Sequence, residues 1–227
     1  MNQFSISRLL LAVLALAGLF LFSQCDPDEV DPIDTGEDPQ TLSCNAYLVD
    51  EFNALPVEDL SAVENADVLF LREEEKLARD VYLLSKSLYT LPIFDNISQS
   101  EQCHMDHVAL LLDRYELFDP TTGKAEGEFL DPALQTLYDD LAAQSQTDLV
   151  GALTAGALIE ETDIVDLKEA IDAADNQDVI LVYERLLQGS GNHLRAYFKN
   201  LQNQGVEYEP QVLSQAEFDA IIDGNQP

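Results

Sequence analysis

From residue 57 onward, apolar residues recur at intervals of three and four, and no stretch alternates with the period of two that a half-buried strand needs. Long segments with this helical period run over about 57–89, 96–118, 148–174 and 177–204. A shorter segment, 131–145, carries Pro132 in its first turn, where the missing N–H has no helical partner to lose. Breaks fall at Pro92, at Pro120 and Gly123, and at Asp175-Asn176. The tail from Val206 predicts one more short helix. The pattern therefore predicts an all-α chain, with two helical hairpins joined by a long crossover that contains a short extra helix.

The informative polar residues are those that fall on the apolar faces when each position turns by about 100°. In the second long segment, Glu101 and His104 lie inside the stripe of Ile97, Val108, Leu111, Leu112 and Tyr115. His107 falls at its margin and Cys103 points away. In the third, Glu160 lies near the centre of the stripe of Leu149, Leu153, Ile164, Leu167 and Ile171, with Asp163 on its shoulder and Glu161 outward. In the fourth, Ser190 and His193 share a face with Val182, Leu186, Leu194 and Tyr197. The first segment offers two choices. Glu74 sits nearest the widest apolar arc (Phe70, Leu77, Val81, Leu84), and Glu75 lies on a second stripe with Val68, Leu71, Ala78 and Tyr82.

Several carboxylates in one apolar seam cost many kcal/mol unless they are paired, protonated or bound to metal. The seam holds almost no bases. Two of the chain's three histidines lie in it, which points to bound cations.

The segments REEEKLARDVY, NISQSEQCHMDHV, GALIEETDIVDL and LLQGSGNHLRAY together resemble the ferritin-like family catalogued as domain of unknown function 2202. The resemblance covers roughly residues 60–202, and its relation to rubrerythrins and ferritins is more remote. It implies a ferritin-like four-helix bundle with two metal ions, iron or manganese, held in its core. In rubrerythrins and ferritins the first-helix ligand is a Glu followed seven residues later by Tyr, a spacing that Glu75 and Tyr82 match. The resemblance thus favours Glu75, with Glu74 as the alternative from periodicity. The implied ligand set is Glu75, Glu101, His104, Glu160, Asp163 and His193, with Tyr82 and Ser190 beside it. The chain departs from the bundle pattern at Ser190, which stands where a Glu would precede His193, and Glu160 with Asp163 supplies the extra carboxylate instead.

Residues 1–24 read as an export signal. Arg8 precedes an apolar run from Leu9 to Phe22, and fourteen helical residues span only about 21 Å, short of a bilayer core. Cys25 after it resembles the lipidated cysteine of bacterial lipoproteins, although Phe22 and Gln24 depart from the usual residues. Residues 25–56 are expected to be an acidic tether, because 26–40 hold seven carboxylates and no base. The bundle is expected over 57–205 and a tail over 206–227. Acidic residues behind the cysteine resemble surface-export signals, so the expected location is membrane-anchored, on the periplasmic or cell-surface side of a bacterial outer membrane. A disulfide between Cys44 and Cys103 and a reduced, packed Cys103 are both open.

With 43 acidic residues against 11 basic, the chain would repel phosphate backbones, which excludes nucleic acid as a partner. Asp139, Asp140 and Glu73 are expected on the solvated surface. The functional expectation is a di-iron oxidoreductase, ferroxidase- or peroxidase-like, reacting Fe(II) with O2 or peroxide. The alternative is a non-enzymatic surface lipoprotein that uses the bundle as a binding module with a degenerate metal site.

Overall fold

The computed structural model describes residues 46–227. The export signal, the lipidation at Cys25, the acidic run at 26–40 and Cys44 lie outside the described residues. Cys103 is disulfide-bonded, and its partner lies outside them as well.

Among the described residues every regular element is helical: α1 (Ala46–Ala54), α2 (Ala62–Leu88), α3 (Pro92–Arg114), α4 (Pro132–Ser145), α5 (Leu149–Ala173), α6 (Gln177–Asn203) and α7 (Gln215–Ile222). Local chemistry sets the boundaries. Ser61 and Glu64 form a reciprocal capping box at the start of α2, and Ser214 with Glu217 does the same for α7. Asp131 and Asp148 cap α4 and α5 through Ala133 N and Gly151 N, each at 2.7 Å. Pro92 opens α3 at its first turn, so a residue that reads as a break acts as a start.

The long helices form an all-α bundle of two hairpins, α2 with α3 and α5 with α6, with α2 packed on α5 and α3 on α6. Cross-links fix the directions. Tyr82 meets Glu160 while Glu64 meets Asp175, so α2 and α5 run antiparallel. Ser100 meets His193 while Arg114 meets Asp178, so α3 and α6 do too. The chain between α3 and α5 therefore crosses the length of the bundle and carries α4 on the way. None of the described helices is long and apolar enough to cross a membrane.

Two apolar clusters fill the bundle. One contains Val81, Ile93, Phe94, Ile97, Leu153, Leu194 and Leu201, and the other Val68, Leu71, Val108, Leu111, Leu167, Val182 and Leu186. In each long helix the two clusters meet near the polar residues singled out in the sequence.

Three expectations need correction. The stretch expected as tether ends in a helix, because α1 buries Leu48 and Phe52, and the Arg114 guanidinium lies 3.7 Å from the centre of the Phe52 ring. Glu73, expected in solvent, is buried and accepts hydrogen bonds from Leu130 N and Asp131 N of the crossover. Glu161, expected to point outward, is fully buried by the tail and accepts from Tyr208 OH at 2.6 Å and from the backbone N–H groups of Gln211, Val212 and Leu213. Both acids do leave the central seam. The segments that cover them are remote in sequence, so helical periodicity does not reveal them.

Candidate metal centre

The long helices bring Glu75, Glu101, His104, Glu160, Asp163, Ser190 and His193 to one place, each 5% exposed or less. Glu101 of α3 is the hub. Its Oε2 lies 2.8 Å from His104 Nδ1, one turn along the same helix, and its Oε1 lies 2.9 Å from His193 Nδ1 on α6. Glu75 of α2 stands on the His104 side, with Oε2 at 3.1 Å from Nδ1. Glu160 of α5 stands on the His193 side, with Oε2 at 3.4 Å from Nδ1. The imidazoles stack 5.3 Å apart. The result is two half-sites, Glu75 with His104 and Glu160 with His193, that share Glu101. Ligand atoms of Glu101, His104 and His193 all fall within 4.8 Å of one another.

Each side chain is held by one atom and presents another. Tyr82 donates to Glu160 Oε1 at 2.5 Å, which leaves Oε2 toward His193. Ser190 hydrogen-bonds Asp163 Oδ2, and Asp163 Oδ1 has no partner although it is buried. His193 Nε2 meets Ser100 Oγ at 2.8 Å, which orients the ring with Nδ1 toward Glu101. Glu75 Oε1, Glu101 Oε1 and His193 Nδ1 are likewise buried without a hydrogen bond. The last two lie 2.9 Å apart yet are misaligned for a hydrogen bond. Such spacing fits two donors aimed at a common point, since ligands at about 2.1 Å on perpendicular bonds stand about 3.0 Å apart. A buried unsatisfied polar atom costs about 1–3 kcal/mol, and this concentration of them could be satisfied by a cation.

The electrostatics agree. Burial, opposed by the His104 charge, pushes Glu75 up to about 7. Burial together with Glu101 does the same to Glu160, up to about 7. Burial and the neighbouring Glu75 and Glu160 raise Asp163 well above the carboxylate range. Burial also works against ionised Glu101, but the charges of His193 and His104 overcome it and hold Glu101 below its usual value. Burial pulls His193 down, and Glu101 and Glu160 more than reverse this, to about 10. The raised values of Glu75, Glu160 and Asp163 favour their neutral forms and so limit the negative charge in the buried cluster. The donor set suits divalent iron or manganese, which accept mixed carboxylate and imidazole ligands.

Between the adjacent candidates on α2, Glu75 faces His104, whereas burial and the neighbouring Asp166 and Asp163 of α5 hold the Glu74 carboxyl well above its usual value. His107 is buried, with Nε2 at 3.7 Å from Cys103 Sγ, and takes no part in the cluster. Sequence reasoning missed two contributors. Ser100 carried no signal, because a serine beside a helical stripe is common. Gly189 is required because a Cβ there would overlap the His104 ring, and its place one turn before His193 was the available hint.

The family model of the Uncharacterized protein domain (DUF2202) matches residues 64–225. Uncharacterized protein MJ0754 of Methanocaldococcus jannaschii is 42% identical over 175 residues, spanning 77% of this chain and 95% of that protein. The crystal structure of hypothetical protein MJ0754 from Methanococcus jannaschii DSM 2661 aligns with a TM-score of 0.74 and 43% identity, over 76% of this chain and 99% of the solved one.

Proposed function

The chain belongs to the family described as Uncharacterized protein domain (DUF2202), and from its buried Glu/His cluster we propose a ferritin-like two-metal carboxylate protein whose activity is the oxidation of Fe(II) by O2 or peroxide. The observation that carries the reading is Glu101, which turns one oxygen toward each histidine Nδ1. Glu75, Glu101 and His104 would hold one ion, and Glu101, Glu160 and His193 the other. Asp163, whose carboxyl is most affected by Glu75 and Glu160 among its charged neighbours, would add a further oxygen between them.

Iron bound there would supply one-electron chemistry, and the surrounding carboxylates would favour its ferric state. The remaining work belongs to the protein. Tyr82 and Ser190 fix the carboxylates of α5, Ser100 sets the His193 ring, and the two apolar clusters exclude water from either end. In the same proposal the chain is exported and anchored to a membrane through a lipid on Cys25.

Ser190, standing at a glutamate position of the bundle pattern, favours a second reading, a non-enzymatic surface lipoprotein with a degenerate site. One experiment separates them. Metal-free full-length protein is loaded anaerobically with Fe(II), analysed for metal, then exposed to air. The two-metal reading expects about two irons per chain, from the shared-ligand geometry, and a rise in near-ultraviolet ferric absorbance. Fewer than about one iron per chain under these conditions would sink it.

A further inference from the structure

The two halves of the centre are not built alike. On the His193 side both outer ligands are held from behind. Ser100 Oγ lies 2.8 Å from His193 Nε2, and Tyr82 donates to Glu160 Oε1 at 2.5 Å. Tyr82 is itself fully buried, with its ring centre 5.3 Å from that of Tyr197. The atoms left facing inward are His193 Nδ1, Glu101 Oε1 and Glu160 Oε2, and Nδ1 lies 2.9 Å and 3.4 Å from the two oxygens. Neither Nδ1 nor Glu101 Oε1 takes part in a hydrogen bond. On the other side the ligands hold each other. His104 Nδ1 hydrogen-bonds Glu75 Oε2 at 3.1 Å and lies 2.8 Å from Glu101 Oε2, so the atoms an ion would need are already joined. Nothing comparable stands behind them among the described residues. Glu75 Oε1 is buried without a partner, and the contacts of His104 are made through Nδ1, while its Nε2 lies against Gly189.

We propose that the halves bind unequally: Glu101, Glu160 and His193 hold a resident ion, whereas Glu75, Glu101 and His104 form the half at which Fe(II) exchanges as substrate. This rests on the two-metal reading and adds an order to it. A ligand already oriented by an outer hydrogen bond loses little freedom when an ion arrives, and such partners are worth about 10–100-fold in metal affinity. On the His104 side an ion has first to part Nδ1 from Glu75 Oε2, and the side chains it then gains are not held from behind. The same ligand types therefore bind less tightly there. Ser100 and Tyr82 are the positioning residues that make the difference, and neither has a counterpart on Glu75 or His104. An ion that stays keeps the shared Glu101 in place for the one that comes and goes.

The test is a titration of metal-free full-length protein with Mn(II), in which free Mn(II) is followed by its electron paramagnetic resonance signal, so that weakly held ions are counted at equilibrium. The unaltered chain is expected to take up about two ions in separate steps. Repulsion between ions that share Glu101 would also separate the steps, so variants decide which half fills first. Ser100→Ala is expected to weaken the first step about 10–100-fold, and Ser100→Thr, which keeps the hydroxyl, to restore it. Glu75→Gln is expected to abolish the second step and leave the first, with the helices of all three variants unchanged by circular dichroism. A first step unmoved by Ser100→Ala, or lost in Glu75→Gln, would overturn the proposal while leaving the two-metal centre standing. A single ion in the unaltered chain, weakened by Ser100→Ala and indifferent to Glu75→Gln, would support the His193 half as the resident site and remove the two-metal reading instead.

Discussion

His193 Nδ1 and Glu101 Oε1 lie 2.9 Å apart in the centre of the bundle without forming a hydrogen bond. Two such atoms, buried and close but not aligned on each other, belong to a group that could hold a metal ion. Glu101→Gln preserves the shape and removes the charge and one acceptor. Bound metal is expected to fall from about two ions to one or none, with affinity weakened at least 100-fold. Circular dichroism should show the helices unchanged. Full metal uptake by this variant would mean that Glu101 is not the shared ligand.

Gly189→Ala probes the same centre from the opposite side. The added methyl would displace the His104 ring, and overpacking of this kind costs about 1–3 kcal/mol. The expected result is a modestly lowered melting temperature and a loss of metal affinity larger than that destabilisation accounts for, read by calorimetric titration. A drop in stability with unaltered affinity would show that the ring position does not matter to binding.

The metal-free centre should make stability fall as pH rises. Glu75 and Glu160 are pushed up to about 7 and His193 to about 10, so the folded state holds these protons more tightly than the unfolded chain. The carboxyl contribution is complete below an unfolded value of about 4.5 and is lost as pH rises through about 7. The His193 contribution is complete below about 6.5 and lost by about 10. Glu101, held low, stays ionised across this range and adds no slope. A cation competes with the same protons, so its affinity should rise with pH. Thermal melts from about pH 5 to 10, with and without Mn(II), are expected to show a stabilisation by metal that grows with pH. A metal-induced shift that shrinks with pH would contradict the assignment.

Glu161 provides the control, since it is as buried as the ligand candidates but serves the tail. Glu161→Ala strips acceptors from Gln211 N, Val212 N and Leu213 N and from Tyr208 OH. The expected cost is several kcal/mol, at about 1–3 kcal/mol for each polar group left unsatisfied, with fast hydrogen exchange in residues 206–227. Metal stoichiometry should not change. Loss of metal together with the tail would show that the two are coupled.

The sequence by itself determined the helices and their inward faces. A period of 3.6 residues is a local property, and it was sufficient to place Glu101, His104, Glu160 and His193 on buried stripes, with Asp163 at the edge of one. It did not separate Glu74 from Glu75. Neighbours in sequence differ by about 100° around the helix, and both directions on α2 are apolar; only the positions of α3 and α5 decide which meets a histidine. Nor did it show that Glu73 and Glu161 are buried, because the crossover and the tail that cover them lie more than a full helix away in sequence. Tertiary structure alone decided how the acids of one seam divide. Those that meet backbone N–H groups anchor connecting segments, and those that gather around the two imidazoles, some held by Tyr82 or Ser190, form a cluster whose charge a cation could balance.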